Sequence, residues 1–246
     1  MRIRGKKLVY LPIGGALGAG LLVTAFVQPQ AQLAASQACY GPCGSATALS
    51  LSTPAVTFGR QSLVEFRVKV TAEAGGSGKP TGSVDVDAGR KILCRFGLIG
   101  GQGRCRLGDD QLAPGSYEIE AHYNGNANLS PSTSGRERLT VSRDASRAAL
   151  SLSTSTVTVG RESRAQFRVK VTADAAGSGE PTGSVEVATG SRILCRFDLS
   201  HGQGRCSLSD RQLAPGLYTI EAHYGGDANL EPSTSRQEQL TVLRRR

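Results

Sequence analysis

Apolar residues recur at every second position in several stretches of the chain. Val64, Phe66, Val68 and Val70 alternate with Glu65, Arg67, Lys69 and Thr71. Val84 and Val86 lie between Ser83, Asp85 and Asp87, and Tyr117, Ile119, Ala121 and Tyr123 alternate with Glu118, Glu120 and His122. A period of two with charges between predicts strands with one buried and one solvated face. Turn-forming residues separate the runs: Gly75-Gly76-Ser77-Gly78-Lys79-Pro80, Ala113-Pro114-Gly115 and Asn124-Gly125-Asn126. No stretch carries the helical period of an amphipathic helix. About seven strands follow one another within roughly a hundred residues, which predicts an all-β sandwich.

The pattern then repeats. Leu49-Ser50-Leu51-Ser52-Thr53 returns as Leu150-Ser151-Leu152-Ser153-Thr154, a displacement of 101 residues. Pro80 to Val84 returns as Pro181 to Val185, Cys94 as Cys195 and Cys105 as Cys206, all without a gap. Roughly two-thirds of the paired positions are identical, and a period this long exceeds any solenoid unit. Each copy is therefore expected to fold as a domain, over 47–142 and 148–243. A lead segment (39–46) precedes them, a linker (143–147) joins them, and a basic tail (244–246) follows. The linker holds neither Gly nor Pro, which limits a hinge angle without fixing it.

Leu112-Ala113-Pro114-Gly115-Ser116-Tyr117, repeated over Leu213 to Tyr218, places a tyrosine directly after a turn, as in a tyrosine corner whose hydroxyl bonds back to the main chain. The order Pro-Thr-Gly-Ser-Val, Leu-Ala-Pro-Gly-x-Tyr, Ala-x-Tyr-x-Gly-x-Ala-Asn-Leu-x-Pro-Ser-Thr-Ser and Leu-Thr-Val resembles the bacterial immunoglobulin-like repeat domain of group 3. Both copies are covered nearly end to end. The resemblance implies tandem β-sandwiches on secreted and surface proteins, serving as stalks, spacers or adhesive modules. It carries over no catalytic residue. The chain departs from antibody domains in having no tryptophan, and no cysteine pair is expected to link the two sheets.

The amino-terminal segment has a different pattern. Arg2, Arg4, Lys6 and Lys7 precede the uncharged run Leu8 to Val27, and Ala34-Ala35-Ser36-Gln37-Ala38 follows. A basic, then apolar, then small-residue order reads as a secretory signal over 1–38, cut after Ala38 or after Ser36. A retained anchor is the alternative, since the apolar run is long enough to cross a bilayer. A lipoprotein cut before Cys39 lacks the usual aliphatic residue. The protein is then expected in the medium or on the outer face of the envelope, touching membrane only through an uncleaved amino terminus.

Charge changes little. The formal net charge is +9, but the four basic residues at the amino terminus and Arg244, Arg245 and Arg246 supply seven of the nine, leaving +2 for the rest. That is no footprint for nucleic acid. Aromatic residues make up only 5% of the chain and tryptophan is absent, so the cores must be built from Val, Leu and Ile.

Six cysteines in an exported chain are expected to pair. A hairpin centred on Ile99-Gly100 sets Cys94 opposite Cys105, and Ser200-His201 does the same for Cys195 and Cys206. Such a link contributes about 3 kcal/mol. Cys39 and Cys43 close a small loop or link two chains. Metal binding fails on ligand number, because His122 and His223 sit on a different strand. The same hairpin puts Arg95 and Arg104, and likewise Arg196 and Arg205, on one outward face, a candidate surface for an anionic polymer.

Catalytic patterns are missing. His122, His201 and His223 have no nucleophile at fixed spacing, and Glu118 is Thr219 in the second copy. Gly75 to Lys79 is no phosphate loop, since Glu73 stands where its first glycine belongs and Glu180 replaces Lys79. Neither a nucleophile elbow nor a His-Glu-x-x-His occurs. No cofactor is implied. The expected role is a non-catalytic adhesion, scaffolding or spacer module, presenting the loops 124–135 and 225–236 to an extracellular protein or envelope polymer. The alternative is a binding module for envelope polysaccharide, or an accessory domain of an extracellular carbohydrate-active system.

Overall fold

The computed structural model describes Cys39, residues 41–73 and residues 79–245. The stretch read as an export signal lies outside the described residues. Among the described residues no helix is long and apolar enough to cross a membrane.

The first copy contains β1 (Ser45–Leu51), β2 (Ala55–Thr57), β3 (Glu65–Ala72), β4 (Ser83–Ala88), β5 (Lys91–Gly97), β6 (Gln102–Arg106), β7 (Gly115–Tyr123), β8 (Ser132–Thr133) and β9 (Glu137–Ser142). The second contains β10 (Ser146–Leu152), β11 (Thr156–Thr158), β12 (Gln166–Ala173), β13 (Ser184–Thr189), β14 (Arg192–Asp198), β15 (Gln203–Ser207), β16 (Gly216–Tyr224), β17 (Ser233–Thr234) and β18 (Glu238–Leu243). In each copy a three-stranded sheet, β1-β3-β6 or β10-β12-β15, faces a larger one ordered β2-β9-β7-β4-β5 or β11-β18-β16-β13-β14. Both copies are all-β sandwiches.

The alternation determines which face closes. On β3, Phe66, Val68 and Val70 are buried while Arg67, Lys69 and Thr71 are exposed. Opposite them lie Val84, Val86, Ile119, Ala121 and Tyr123 of the larger sheet, all buried. Full burial of a side chain such as Phe66 contributes about 1.5–3 kcal/mol. The tyrosine corner is formed in both copies: Tyr117 donates to the Ala113 carbonyl at 2.7 Å and Tyr218 to that of Ala214 at 2.9 Å.

The edge carrying β5 and β6 differs from the expected hairpin. Beyond the single bridge Ile99↔Gln102 the two strands part company. β5 pairs with β4, whereas β6 pairs with β3. The tip is split by its own backbone bonds, since Leu98 N–H donates to Gly82 O while Gly101 N–H donates to Pro80 O and Val70 N–H to Gly101 O. Between the strands lies the Phe96 ring, which occupies the space where a Cβ on Gly103 would project. Phe197 and Gly204 repeat this arrangement. Cys94 and Cys105 are bonded with Cα atoms 6.5 Å apart, and Cys195 and Cys206 at 6.4 Å. Each bond therefore joins one sheet to the other, correcting the expectation that no cysteine pair links the sheets.

A buried polar pair distinguishes the copies. Gln61 is fully buried, accepts from the Leu112 N–H at 2.9 Å and donates to the Leu112 carbonyl at 2.6 Å. Its counterpart Glu162 is also fully buried; its Oε2 accepts from Gly160 and Arg211 N–H groups, and its Oε1 has no hydrogen-bond partner.

β10 begins at Ser146, within the stretch read as linker. Asp144 is 2% exposed. Its main chain pairs with the loop after β16, where Asp144 N–H donates to Asn229 O and Glu231 N–H to Asp144 O. Its Oδ2 accepts from the Ala175 N–H at 2.7 Å and lies 2.8 Å from the Ser178 hydroxyl. That hydroxyl is also 3.0 Å from the Phe58 carbonyl of the first copy. Gly59, at φ +78°, lies flat against Ser178 and Gly177, leaving no room for a side chain. A Cβ on Gly160, its counterpart in the second copy, would meet no described heavy atom within 4 Å beyond its chain neighbours.

Two predictions follow from this packing. Gly103→Ala or Gly204→Ala forces a methyl into the phenylalanine ring and should cost about 1–3 kcal/mol in denaturant unfolding. Gln61→Glu leaves the Leu112 carbonyl unpaired and should destabilise the first domain by about 1–3 kcal/mol, while Glu162→Gln should stabilise the second.

Candidate functional site

The three-stranded sheets carry a group of cations on their outer faces. On the outer face of β1-β3-β6, alternation and register bring Arg67 opposite Arg104, Lys69 opposite Gln102 and Glu65 opposite Arg106. Ala48 and Ser50 of β1 pair with Lys69 and Arg67. These short side chains leave an open trough of about 700 Å³ beneath the longer cations. The second copy has the same arrangement, with Ala149, Ser151, Arg168, Lys170, Gln203 and Arg205 around about 580 Å³.

In the first copy Glu65 sits at one end of this face. It pairs with Arg67 Nε at 2.7 Å and with Arg106 Nη2 at 3.3 Å. The Arg67 guanidinium outweighs burial and holds its carboxyl below the ordinary carboxylate range. Gln166 takes this position in the second copy and accepts from Arg168 Nε at 3.0 Å.

The arginines singled out in the sequence do not share one surface. Arg104 and Arg205 lie on the three-stranded sheets, whereas Arg95 and Arg196 lie on the larger ones. The splitting of β5 from β6 is the physical reason. Arg95 is engaged by both oxygens of Asp85 on β4, with Nη2–Oδ2 at 3.0 Å, and Arg196 reaches Glu186 at 2.8 Å. Lys69 and Arg67, which the hairpin reading passed over, take their place beside Arg104. The signal was present in the alternation of β3, but its pairing with β6 needed the topology.

The loops 124–135 and 225–236 are engaged within the chain rather than presented freely. Cys43 N–H donates to Asn128 O and Ser130 N–H to Cys43 O, and Asp144 makes the same pair of bonds to the second loop. Leu129 and Leu230, within these loops, are buried. Cys39 and Cys43 are bonded to each other, with Cα atoms 5.4 Å apart.

His122 lies on the larger sheet, with Nε2 2.8 Å from Asp87 Oδ2 and Nδ1 3.0 Å from the Thr133 hydroxyl. Together with Glu120 these groups bring three ligand-type atoms within 4.8 Å of one another. Asp87 was not recognised from the sequence; it arrives through the pairing of β4 with β7. Ala188 replaces it in the second copy, where Glu221 and His223 remain 3.7 Å apart. His201, at φ +52°, occupies the turn tip where the first copy has Gly100.

Comparison with known proteins agrees with this architecture. The sequence model described as "Bacterial Ig-like domain (group 3)" matches residues 49–142 and 150–243. No curated protein matches the chain. Among solved structures, the Yersinia pseudotuberculosis adhesin InvE is similar at 10% identity and a TM-score of 0.41, over 80% of this chain and 58% of that one. Invasin, described as a bacterial integrin-binding protein, is similar at 12% and 0.48, over 80% and 39%. The fibronectin(III)-like modules of Clostridium thermocellum CbhA give 11% and 0.30, over 80% and 94%. Likenesses this distant carry no functional argument.

The Glu65 geometry makes an acid-dependence prediction. A carboxyl held low in the folded state stabilises above its unfolded pKa of about 4.3, and that contribution is lost as pH falls through the lower folded value. Thermal melts across that acidic range should show a decline for the first domain that Glu65→Gln flattens.

Proposed function

The chain belongs to the bacterial Ig-like domain (group 3) family, and from that premise we propose that it works outside the cell as a non-catalytic adhesion, scaffolding or spacer module. The observation that carries this reading is the junction. Asp144 and Ser178 bind the linker, the Phe58 carbonyl and the second domain into one buried hydrogen-bonded group. A chain that only needed two tethered binding domains would have no use for a carboxylate buried between them. A spacer that transmits position or force does.

The sulfurs support the setting. Three disulfides in one chain suit an oxidising compartment, and two of them hold the sheets of a sandwich against being pulled apart. The basic and apolar amino-terminal pattern supports export by the signal route, with the mature chain on the outer face of the envelope or released from it. His122 and His223 are held by Thr133 and Thr234 beside them.

Labelling of intact cells with a membrane-impermeant reagent should reach the protein. Recovery only from the cytoplasm with its cysteines reduced would overturn the proposal, as would turnover of a glycoside or ester panel by the purified protein. Ser178→Ala removes the hydroxyl that lies between Asp144 and the Phe58 carbonyl of the first copy, at a cost to docking of about 1–3 kcal/mol. NMR relaxation should then show the two domains tumbling separately, with each domain's own melting point little changed.

A further inference from the structure

Comparison of the two copies shows which outward positions change, although the larger sheet also keeps Arg95, Glu120 and His122 as Arg196, Glu221 and His223. On the larger sheet Asp85, Asp87, Glu118 and Arg138 become Glu186, Ala188, Thr219 and Gln239 in the second copy, and Arg136 beside it becomes Gln237. On the three-stranded sheet the outward residues Ala48, Ser50, Arg67, Lys69, Gln102 and Arg104 are unchanged at all six positions. Exposed strand positions carry little packing constraint, so folding alone does not account for these six staying fixed while Ala46, Glu65 and Arg106 on the same face become Arg147, Gln166 and Ser207.

The retained face also breaks a rule of sheet pairing. Arg67 stands directly opposite Arg104, and Arg168 directly opposite Arg205. Like charges in this position destabilise a sheet. Lys69, Arg104, Lys170 and Arg205 make no hydrogen bond or ion pair among the described residues. Where the first copy offsets four cations with Glu65, the second has neither Arg106 nor the glutamate but Ser207 and Gln166. Each face thus keeps an excess of three positive charges by a different route. A local penalty that survives duplication in this way marks a surface kept for a ligand.

We propose that the two troughs bind an acidic polysaccharide, its carboxylates held by the arginine pairs and its hydroxyls by Ser50, Gln102 and their counterparts. Opposed guanidinium groups offer the forked donors that suit a carboxylate. Two cations two positions apart on one strand stand about 7 Å from each other, a row that favours an extended polymer over a single ion. The six retained residues include no aromatic side chain on which bases could stack, which disfavours single-stranded nucleic acid. Two equal sites on one chain raise avidity for a repeating ligand. The inference goes beyond the spacer reading and does not depend on it.

The test uses the purified two-domain protein with its cysteines oxidised, and polygalacturonate as the probe in calorimetry. Binding should weaken at least about tenfold between about 50 and 300 mM salt. Arg104→Gln with Arg205→Gln should lower affinity at least about tenfold. The same pair removes the repulsion, so its melting point should be unchanged or higher, which separates lost binding from lost fold. Arg95→Gln with Arg196→Gln should stay within about twofold of the parent, those side chains being held by Asp85 and Glu186. Absence of binding at low salt, equal binding of neutral dextran, equal losses in both double variants, or binding of polyglycerol phosphate or DNA in preference to polygalacturonate would each overturn the proposal. Because none of these measurements touches export or the junction, their failure leaves the spacer reading to its own test.

Discussion

A sandwich of two sheets is weakest where neither sheet continues into the other, and here that edge is built around a phenylalanine. The Phe96 ring inserts between β5 and β6 over the bare backbone of Gly103, and it sends the strands to opposite sheets. The turn around Ile99 then becomes the passage from one layer to the next. The Cys94–Cys105 bond closes the layers just behind the ring, and the second copy does likewise. In cores assembled from valine, leucine and isoleucine, with phenylalanine and tyrosine as the largest fillers, this closure matters more than in a domain with a buried indole. It also decides the surface chemistry, because separating β5 from β6 separates Arg95 from Arg104.

Much of the architecture was legible in the residues. Period-two alternation marked β3, β4 and β7 and their inward faces, and the displacement of 101 residues delimited two copies. The turn before Tyr117 announced the corner that its hydroxyl completes. These features are local, and local patterns survive being read one segment at a time. The hairpin failed for a nonlocal reason. Cys105 follows Cys94 by eleven positions, and antiparallel pairing is the simplest route between them. Only the competition of β3 and β4 for those strands reveals the split.

The junction was illegible for a related reason. Ser142-Arg143-Asp144-Ala145-Ser146 looks like an ordinary polar connector, and nothing in its composition distinguishes Asp144 from a solvated aspartate. Its partners Ala175 and Ser178 lie more than thirty positions away in the turn region after β12. The neutral place it occupies in the repeat belongs to Cys43, whose main chain makes the same two bonds to the first loop. Backbone geometry is thus shared between the copies, while the side chain at that point has been given separate work.

Gly160 adds a consequence for assembly. The second domain keeps the glycine turn that, as Gly59 in the first, receives a neighbour's loop, yet the place of a Cβ on Gly160 is open among the described residues. Reiterating one stretch, an aspartate-bearing connector followed by a sandwich with a Gly-Ser corner, would therefore seat each added unit on a receptor already in place.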